Sequence, residues 1–439
     1  MAKFKGSGEA IDSSIMLWSN MSHTNTSVTE VYDIFVYPMN SIIQGSGQNI
    51  LFNIPPQETG FLLDVEVCTS FHVKKDNAAI PDKTQVSLVN NIASAMFSLV
   101  EVRVQDRINL SQQMSNSYNL CSFFETALNN GIERQDLLFT RQLFVMDDGA
   151  DKTEADDSKY FVDTHHHVTQ ADIKNKGAAK RALAIAGSKK CSVISKLNVP
   201  LIKQHKGILP NTSIVVTFTM NKSAYCVMAA EDKYEFIIDD MYLKCTYMKP
   251  HPTLTNLIND KLKTNPVMYE CDKQLLLARL LPAGSRNYTI NNMFDHQLPK
   301  FVLYALQHPD SMTGKIDKSN FTFYPIHSLQ LFVNNKQYFP KQLTNSSVEL
   351  LDQIYKSTGK DLRGTCLITG KNVVLNQFYC ISLTDDRNFA DHYSLKRNAD
   401  TRLEIDLGKE IEDNFVLLAY CLYDIQIAFD GAGNVTVTE

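Results

Sequence analysis

Two long stretches that alternate between apolar and polar residues constrain the fold of this chain most. One occupies residues 236–246 and the other residues 415–429, close to the end of the 439-residue chain. A period of two is typical of a β-strand, because successive side chains point to opposite faces of the sheet. Each half of the chain therefore ends on a long strand that is rich in aromatic residues.

Shorter strand candidates fill both halves. Many alternate, as Val100, Val102 and Val104 do with the polar residues between them, and many are rich in β-branched or aromatic residues. The candidates are residues 49–54, 61–73, 98–105, 191–201, 213–220 and 234–248 in the first half, and residues 267–270, 286–290, 300–307, 328–334, 373–383, 402–407 and 415–429 in the second.

Two prolines separate the halves. Pro250 and Pro252 stand two residues apart, and proline cannot continue a central strand because it lacks the N–H that the ladder needs. We place the main boundary here, with a first sandwich at residues 31–250 and a second at 251–439. Many strands, few helices and long loops, twice over, predict a mainly β fold of two antiparallel sandwiches in tandem.

One helix is predicted in the first half, between Ser111 and Asn130. Its apolar residues are spaced by three or four positions, which places them on one helix face. Ser111 is expected to cap the start of this helix, and Gly131 is expected to follow its end. The residues of the apolar face are Met114, Tyr118, Cys121, Phe124 and Leu128.

Two segments do not resemble the rest of a sandwich. Residues 1–30 are polar apart from a short apolar run that ends at Trp18, and they predict an N-terminal arm that docks on a neighbouring subunit or on its own domain. Residues 141–190 form a long insertion, acidic and then basic, for which a solvated surface position is favoured. Whether the basic residues of 174–190 contact nucleic acid stays open.

The composition is that of a globular protein. Hydrophobic residues make up 44% of the chain and the formal net charge is −5, which excludes a disordered chain and argues against a surface devoted to nucleic acid. The nine cysteines include no CxxC pair, so we expect reduced, buried thiols in an intracellular setting. No secretory signal is visible, and the longest apolar run, residues 415–423, is too short to span a bilayer.

A search for chemistry gives only partial matches. Residues 364–371 read GTCLITGK, but a phosphate-binding loop needs four residues between its glycines and a hydroxyl residue after the lysine, so a hairpin turn is favoured. Of the three adjacent histidines, at most His165 and His167 could lie on the same face of a strand, and the sequence shows no further ligands of the kind that a metal site needs. We therefore predict no catalytic, cofactor-binding or metal-binding residues and no enzymatic activity.

Several segments, in order along the chain, are similar to those of a known family. They include the helix region from Asn116 to Gly131 and the segment Pro210-Asn211-Thr212 with the strand that follows it to Met220. They also include a segment that begins at Asp295, contains Leu298-Pro299-Lys300, and continues through Gly314, Asn320-Phe321 and Phe323 to Asn334-Asn335. The closing strand contains Tyr420 and Tyr423. Together they resemble the double jelly-roll major capsid proteins of Maverick/Polinton elements and adintoviruses. The family often has Asp-Gly where this chain has Asn334-Asn335.

The resemblance implies a structural major capsid protein. Two jelly-rolls would stand side by side, and three chains would form a homotrimeric, pseudo-hexagonal capsomer that tiles an icosahedral shell around DNA. The implied partners are other trimers, penton or vertex proteins and minor capsid proteins, with packaged DNA touched only indirectly and no membrane span. The expected location is the virion capsid, made and assembled inside the host cell.

Two alternatives stay open. One is a minor capsid or vertex jelly-roll protein, although such proteins are commonly a single sandwich. The other is a metal-dependent jelly-roll enzyme or a carbohydrate-binding protein that would use His165 and His167.

Overall fold

A computed structural model of the chain gives the positions of most residues. It describes residues 25–80, 86–105, 108–110, 117–146, 176–229, 233–313, 323–339, 341–361, 364–370, 372–373, 377–384, 397–431 and 433–438. Several sequence predictions therefore fall outside the described residues, namely those on Trp18, Ser111, Met114, His165, His167, Gly314, Asn320 and Phe321.

Eleven strands of the described chain precede residue 251. They pair only with one another, always antiparallel. These strands are β1 (Val28–Val36), β2 (Asn49–Ile54), β3 (Phe61–Lys75), β4 (Ala78–Ala79), β5 (Val86–Leu88), β6 (Phe97–Val104), β7 (Ile108–Asn109), β8 (Cys191–Lys196), β9 (Ile214–Met220), β10 (Val227–Ala229) and β11 (Tyr234–Pro250).

Ten described strands follow, and they too pair only among themselves and antiparallel. These strands are β12 (Val267–Leu281), β13 (Asn287–Asn291), β14 (Phe301–Gln307), β15 (Ser328–Val333), β16 (Lys336–Gln337), β17 (Leu343–Thr344), β18 (Tyr379–Ser382), β19 (Thr401–Asp406), β20 (Phe415–Phe429) and β21 (Val435–Thr438).

Both groups of strands have the same topology. The first contains a sheet in the order β1-β11-β3-β8 and a sheet in the order β2-β9-β6-β7, and the second contains β12-β20-β14-β18 and β13-β19-β15-β16. In both groups the chain passes from one sheet to the other in the same sequence of positions. Two sheets joined in this way form a jelly-roll. The predicted mainly β fold of two tandem jelly-rolls is confirmed.

Nine α-helices of the described residues lie in the connections between strands. They are α1 (Ile92–Ala95), α2 (Ser117–Asn129), α3 (Gln135–Gln142), α4 (Lys176–Ile185), α5 (Pro200–Lys203), α6 (Ser223–Cys226), α7 (Pro252–Leu262), α8 (Pro309–Thr313) and α9 (Ser347–Ser357). None of them combines the length and the apolar composition that a bilayer span requires.

The core of the first jelly-roll lies between its two sheets. Strand β9 alternates strictly between buried and half-buried residues, and its Phe218 packs on Phe97 at 4.7 Å and edge-on against Phe52 at 5.7 Å between ring centroids. Burying a phenylalanine side chain contributes about 1.5–3 kcal/mol relative to leaving it exposed. The apolar residues that the alternation assigns to one face thus form this core.

The prolines at the boundary have two different positions. Pro250 is the last residue of β11, and Pro252 begins α7, where the missing N–H costs nothing. The residue between them, His251, accepts a hydrogen bond from the Thr253 amide at 3.3 Å through Nδ1. The predicted break in the strand pattern is therefore the start of a helix.

Several boundaries differ from the sequence predictions. β8 ends at Lys196 because Pro200 begins a helix, and β18 starts only at Tyr379 because Val373 lies in a turn closed by its own amide on the Thr369 carbonyl. β12 continues to Leu281, eleven residues beyond its predicted end. Gly131 has φ −83°, so it extends the chain and does not end α2 in the left-handed conformation.

Strand β1 begins inside the predicted arm. Its residues Val31 and Phe35 point away from the core, while Tyr32, Ile34 and Val36 point toward it. Because both faces carry apolar side chains, the period of two is hidden in the sequence. The exposed apolar face of β1 is therefore the reason that the strand was not predicted.

Candidate assembly surfaces and the junction between the jelly-rolls

Helix α2 joins the two jelly-rolls. The helix belongs to the first, yet Phe124 packs against Phe323, Phe378 and Tyr420 of the second at 5.4–5.6 Å between ring centroids. Ten of its thirteen residues are buried, including every described member of the predicted apolar face. A helix that is buried nearly all round lies between two packed bodies and not on a surface.

A carboxylate lies at the centre of this junction. Glu125 on α2 accepts hydrogen bonds from Gln274 Nε2 at 2.9 Å and from the Tyr420 hydroxyl at 3.3 Å, both in the second jelly-roll. It also forms an ion pair with Lys203 on α5 and accepts a hydrogen bond from Asn129. Burial opposes ionisation, but the Lys203 charge and these hydrogen bonds outweigh it and lower the pKa of Glu125.

Lys300, in the segment that most resembles the capsid family, is the buried centre of a second polar cluster. Its ammonium group lies 2.5 Å from Oδ1 of Asp272 on β12 and 2.8 Å from Oδ1 of Asp424 on β20, and its side chain is 5% exposed. Burial lowers the pKa of Lys300, but the two carboxylates raise this pKa by a larger amount, so the net shift is upward. The lysine of the Leu298-Pro299-Lys300 motif thus fastens three strands of one sheet together.

The two equivalent sheets differ in what covers them. In the second jelly-roll β14 and β18 are buried at every residue, so both faces of that sheet are covered over these two strands, whereas β12 at its edge keeps exposed residues. In the first, β1 alternates between exposed and less exposed residues, and β11 alternates between buried and partly exposed ones. One face of the β1-β11-β3-β8 sheet is therefore open over β1 and β11.

The open face and the segment that follows β1 carry exposed apolar side chains that we call the β1 patch, defined as Val31, Phe35, Tyr37, Met39 and Ile43. These side chains are 53–68% exposed. Phe35 and Tyr37 both contact Tyr242 on β11, at 5.7 and 6.0 Å between ring centroids. Of the twelve large apolar residues that are exposed in the described chain, five belong to this patch, which marks it as an interaction surface.

Beside the β1 patch lies a small charged cluster. Asp33 accepts a hydrogen bond from Thr246 at 2.7 Å and lies 3.3 Å from the ammonium group of Lys244. These contacts lower the pKa of Asp33, chiefly through the Thr246 hydroxyl. The charges on this part of the face are thus already compensated within the chain.

Helix α9 of the second jelly-roll presents a different surface. Its inner face is fixed to the edge of β18, where Gln353 and Ser357 donate to the Cys380 carbonyl at 3.0 and 2.8 Å. Its outer face carries Val348, which is 77% exposed, and an ion pair between Lys356 and Asp352 at 2.7 Å. Val348 is the most exposed large apolar residue of the described chain.

The described part of the basic segment is not a solvated loop. Residues 176–185 form α4, and Arg181 on this helix is fully buried. Its guanidinium donates to the Leu88 carbonyl at 2.9 Å and to the Val145 carbonyl at 3.5 Å. Arg181 is therefore a structural residue, because its donors are directed inward to backbone oxygens and away from any phosphate outside.

The glycine-containing candidate for a phosphate-binding loop packs against α2. Among residues 364–370, Cys366, Leu367 and Ile368 are buried, and the Leu367 amide donates to the Ala127 carbonyl of α2 at 3.0 Å. Within the described residues this segment contains a turn that no pair of hydrogen-bonded strands flanks, so the predicted hairpin is wrong.

A cleft of about 1,100 Å³ opens where the two jelly-rolls meet. Leu209 and Asn211 line it from the first jelly-roll, Asn259 and Lys263 from α7, and Asp430 from the turn after β20. The part of the chain that the structure describes contains no group of three or more His, Cys, Asp or Glu side chains placed to hold a metal ion.

Two comparisons, with protein-family models and with curated proteins, find no match. Solved structures do match over nearly the whole chain. A chain of the Sputnik virophage, solved by cryo-EM, has a TM-score of 0.62 at 11% identity and covers 99% of this chain and 93% of its own. A chain of the PBCV-1 virus capsid has a TM-score of 0.62 at 11% identity, with 96% and 99% covered.

The mavirus major capsid protein is similar as well, with a TM-score of 0.54, 11% identity and coverage of 100% and 96%. At these identities the similarity establishes the fold, which is the double jelly-roll of viral major capsid proteins.

Proposed function

We propose that this chain is a structural major capsid protein without enzymatic activity. Its trimers would be pseudo-hexagonal and would tile an icosahedral shell. The observation that carries the proposal is the repeated topology, because two equivalent jelly-rolls in one chain give three chains six similar sandwiches around a threefold axis. Closed symmetry would form the trimer, and heterologous contacts between trimers would extend it into a shell.

The finer assignments belong to this proposal. We take residues 31–250 and 251–439 as its two jelly-roll domains, supported by the change in strand pairing between Pro250 and Val267. Membership of the Maverick/Polinton and adintovirus group rests on the sequence motifs around Tyr118 and Lys300. The partners would be other trimers, penton or vertex proteins and minor capsid proteins in a virion capsid assembled inside the host cell, with DNA contacted only indirectly.

The mass of the purified chain in solution tests this function. Light scattering behind size exclusion should give about 149 kDa, three times the 49.6 kDa of one chain. Shells in the void volume, visible by negative-stain electron microscopy, would extend the result from trimer to capsid. A monomer at every concentration, with no particles, would contradict the proposal.

The predicted arm can be tested separately. Deletion of residues 1–30 also removes the first three residues of β1, so a deletion of residues 1–24 is the cleaner variant. The arm proposal expects this variant to form trimers but no shells. Normal shells would contradict the role of the arm and leave the capsid function standing.

A further inference from the structure

The open face of the first jelly-roll has a covered counterpart in the same chain. β1 and β11 occupy the sheet positions that β12 and β20 occupy in the second jelly-roll. Part of the β12 and β20 side is covered by α2, whose Phe124 contacts Tyr420 and whose Glu125 accepts a hydrogen bond from Gln274. A helix of the other jelly-roll thus packs on the second of these equivalent sheets, at the positions that are open on the first.

The covering helix also has a counterpart. α2 is the first of three described α-helices in the connection between β7 and β8, and α9 lies in the equivalent connection of the second jelly-roll, between β17 and β18. α2 is buried nearly all round because the second jelly-roll covers its outer side, whereas α9 keeps an open side with Val348, Asp352 and Lys356. The chain therefore presents one open sheet face on the first jelly-roll and one open helix face on the second. Their positions correspond to those of the sheet face and the helix that contact each other within the chain.

We propose that α9 of one copy packs on the β1 patch of the next copy, with Val348 against the surface around Phe35 and Tyr37. The arrangement that α2 makes within one chain is then repeated by α9 between chains. This contact is the trimer interface of the proposed function, and the proposal rests on that function. The first jelly-roll then meets the second within each chain, the second meets the first of the next chain, and the ring closes after three chains.

The chemistry of the two surfaces fits this occupant. Both are apolar at the centre, and each carries its charges as a compensated pair, Asp33 with Lys244 and Asp352 with Lys356. Neither surface would bring an unpaired charge into the contact, which is the costly element of a buried interface. Permanent interfaces between like subunits are also more apolar than transient ones.

Two charge substitutions and one matched control test the contact. Phe35→Asp alters the sheet side, Val348→Asp alters the helix side, and Leu257→Asp on α7 introduces the same charge at a residue 53% exposed, like Phe35. In analytical ultracentrifugation, F35D and V348D should each raise the trimer dissociation constant by at least tenfold, and L257D should leave it unchanged. Melting of the monomers separates a loss of assembly from a loss of folding.

Mixing the two variants identifies the partners directly. Each variant alone damages one side of every contact, but in an equal mixture the intact α9 of F35D can pack on the intact β1 patch of V348D. The mixture should therefore give a two-chain species of about 99 kDa, twice the mass of one chain. No such species would overturn the pairing of these two surfaces.

The remaining outcomes are equally decisive. Trimers that persist in both variants would overturn this contact while the proposed capsid function stands, and a wild-type chain that never forms trimers would remove both. Hydrogen exchange at residues 31–37 should be protected at high concentration and lose protection on dilution. Protection at every dilution would mean that the chain covers the patch itself, which would also overturn the proposal.

Discussion

The side-chain amide of Gln274 donates a 2.9 Å hydrogen bond to Oε2 of Glu125, across 149 residues of sequence. One residue lies on β12 and the other on α2, so the bond joins the second jelly-roll to the first. Lys203 neutralises the same carboxylate from α5. The junction thus combines an aromatic cluster with a compensated charge, which fixes the relative position of the two sandwiches.

Replacing Glu125 by glutamine should weaken this junction. The variant loses the ion pair with Lys203 and leaves a lysine without its carboxylate, so we expect the free energy of unfolding to fall by about 1–2 kcal/mol. Urea denaturation at neutral pH measures the change. Glu235→Gln, at an exposed position of β11, is the control and should have little effect.

The effect of E125Q should also depend on pH. The pKa of Glu125 is lower in the folded state than its usual value near 4.5. Its contribution to stability is therefore complete above that value and is lost as the pH falls through the folded pKa. A difference between wild type and E125Q that stays constant down to strongly acidic pH would contradict this assignment.

Lys300→Met should destabilise the second jelly-roll. The substitution leaves Asp272 and Asp424 side by side without their shared cation, which we expect to cost about 2–4 kcal/mol. Chemical denaturation measures the loss. A double variant, Lys300→Met with Asp424→Asn, removes part of the uncompensated charge. Its loss in free energy of unfolding should be smaller than the sum of the losses of the two single variants. Strict additivity would contradict the cluster.

The Lys300 contribution has the opposite pH dependence. Its pKa is raised above the usual 10.5 in the folded state. The stabilisation is therefore complete below about pH 10.5 and is lost as the pH rises through the folded pKa. The stability difference between wild type and K300M should accordingly be constant from pH 7 to 10 and shrink above that range.

Arg181→Ala should detach α4 from the first jelly-roll. The carbonyls of Leu88 and Val145 would lose a buried charged donor, and the loss should be about 2–4 kcal/mol. Hydrogen exchange should rise first in residues 176–188 and 86–88. Lys180→Ala is the matched control, because the side chain of this neighbour is exposed and its ammonium group lies over the Phe139 ring, 5.7 Å from the ring centroid. Equal effects of the two variants would contradict a structural role for Arg181.

The cysteine thiols should be unreactive in the folded protein. All nine are free, and eight are buried. Burial raises the pKa of Cys245 and of Cys271 to about 12, so little thiolate is present at pH 8. Titration with a disulfide reagent should label at most Cys191 rapidly and all nine after denaturation. Rapid labelling of several thiols in the native protein would contradict the described core.

Sequence patterns located the strands whose two faces have different neighbours. β2 and β9 lie within one residue of their predicted bounds, because one face of each is buried and the other is partly exposed. β20 also matches its predicted bounds, although both of its faces are apolar over residues 415–422. The pattern failed for β1, whose open face carries Val31 and Phe35 as well as polar residues. It also failed for β12, where Gln274 is buried against another jelly-roll and reads as a polar surface residue.

The sequence by itself determined the class of this fold and the positions of many of its strands, since alternation and proline positions are local and are set by backbone geometry. It also carried the motif around Lys300, though not what that lysine binds. The tertiary structure decided the rest, because Glu125, Lys300 and Arg181 acquire their roles from residues far away in the chain. Only the packing of one jelly-roll on the other decides which polar side chains are buried and which apolar face is left open.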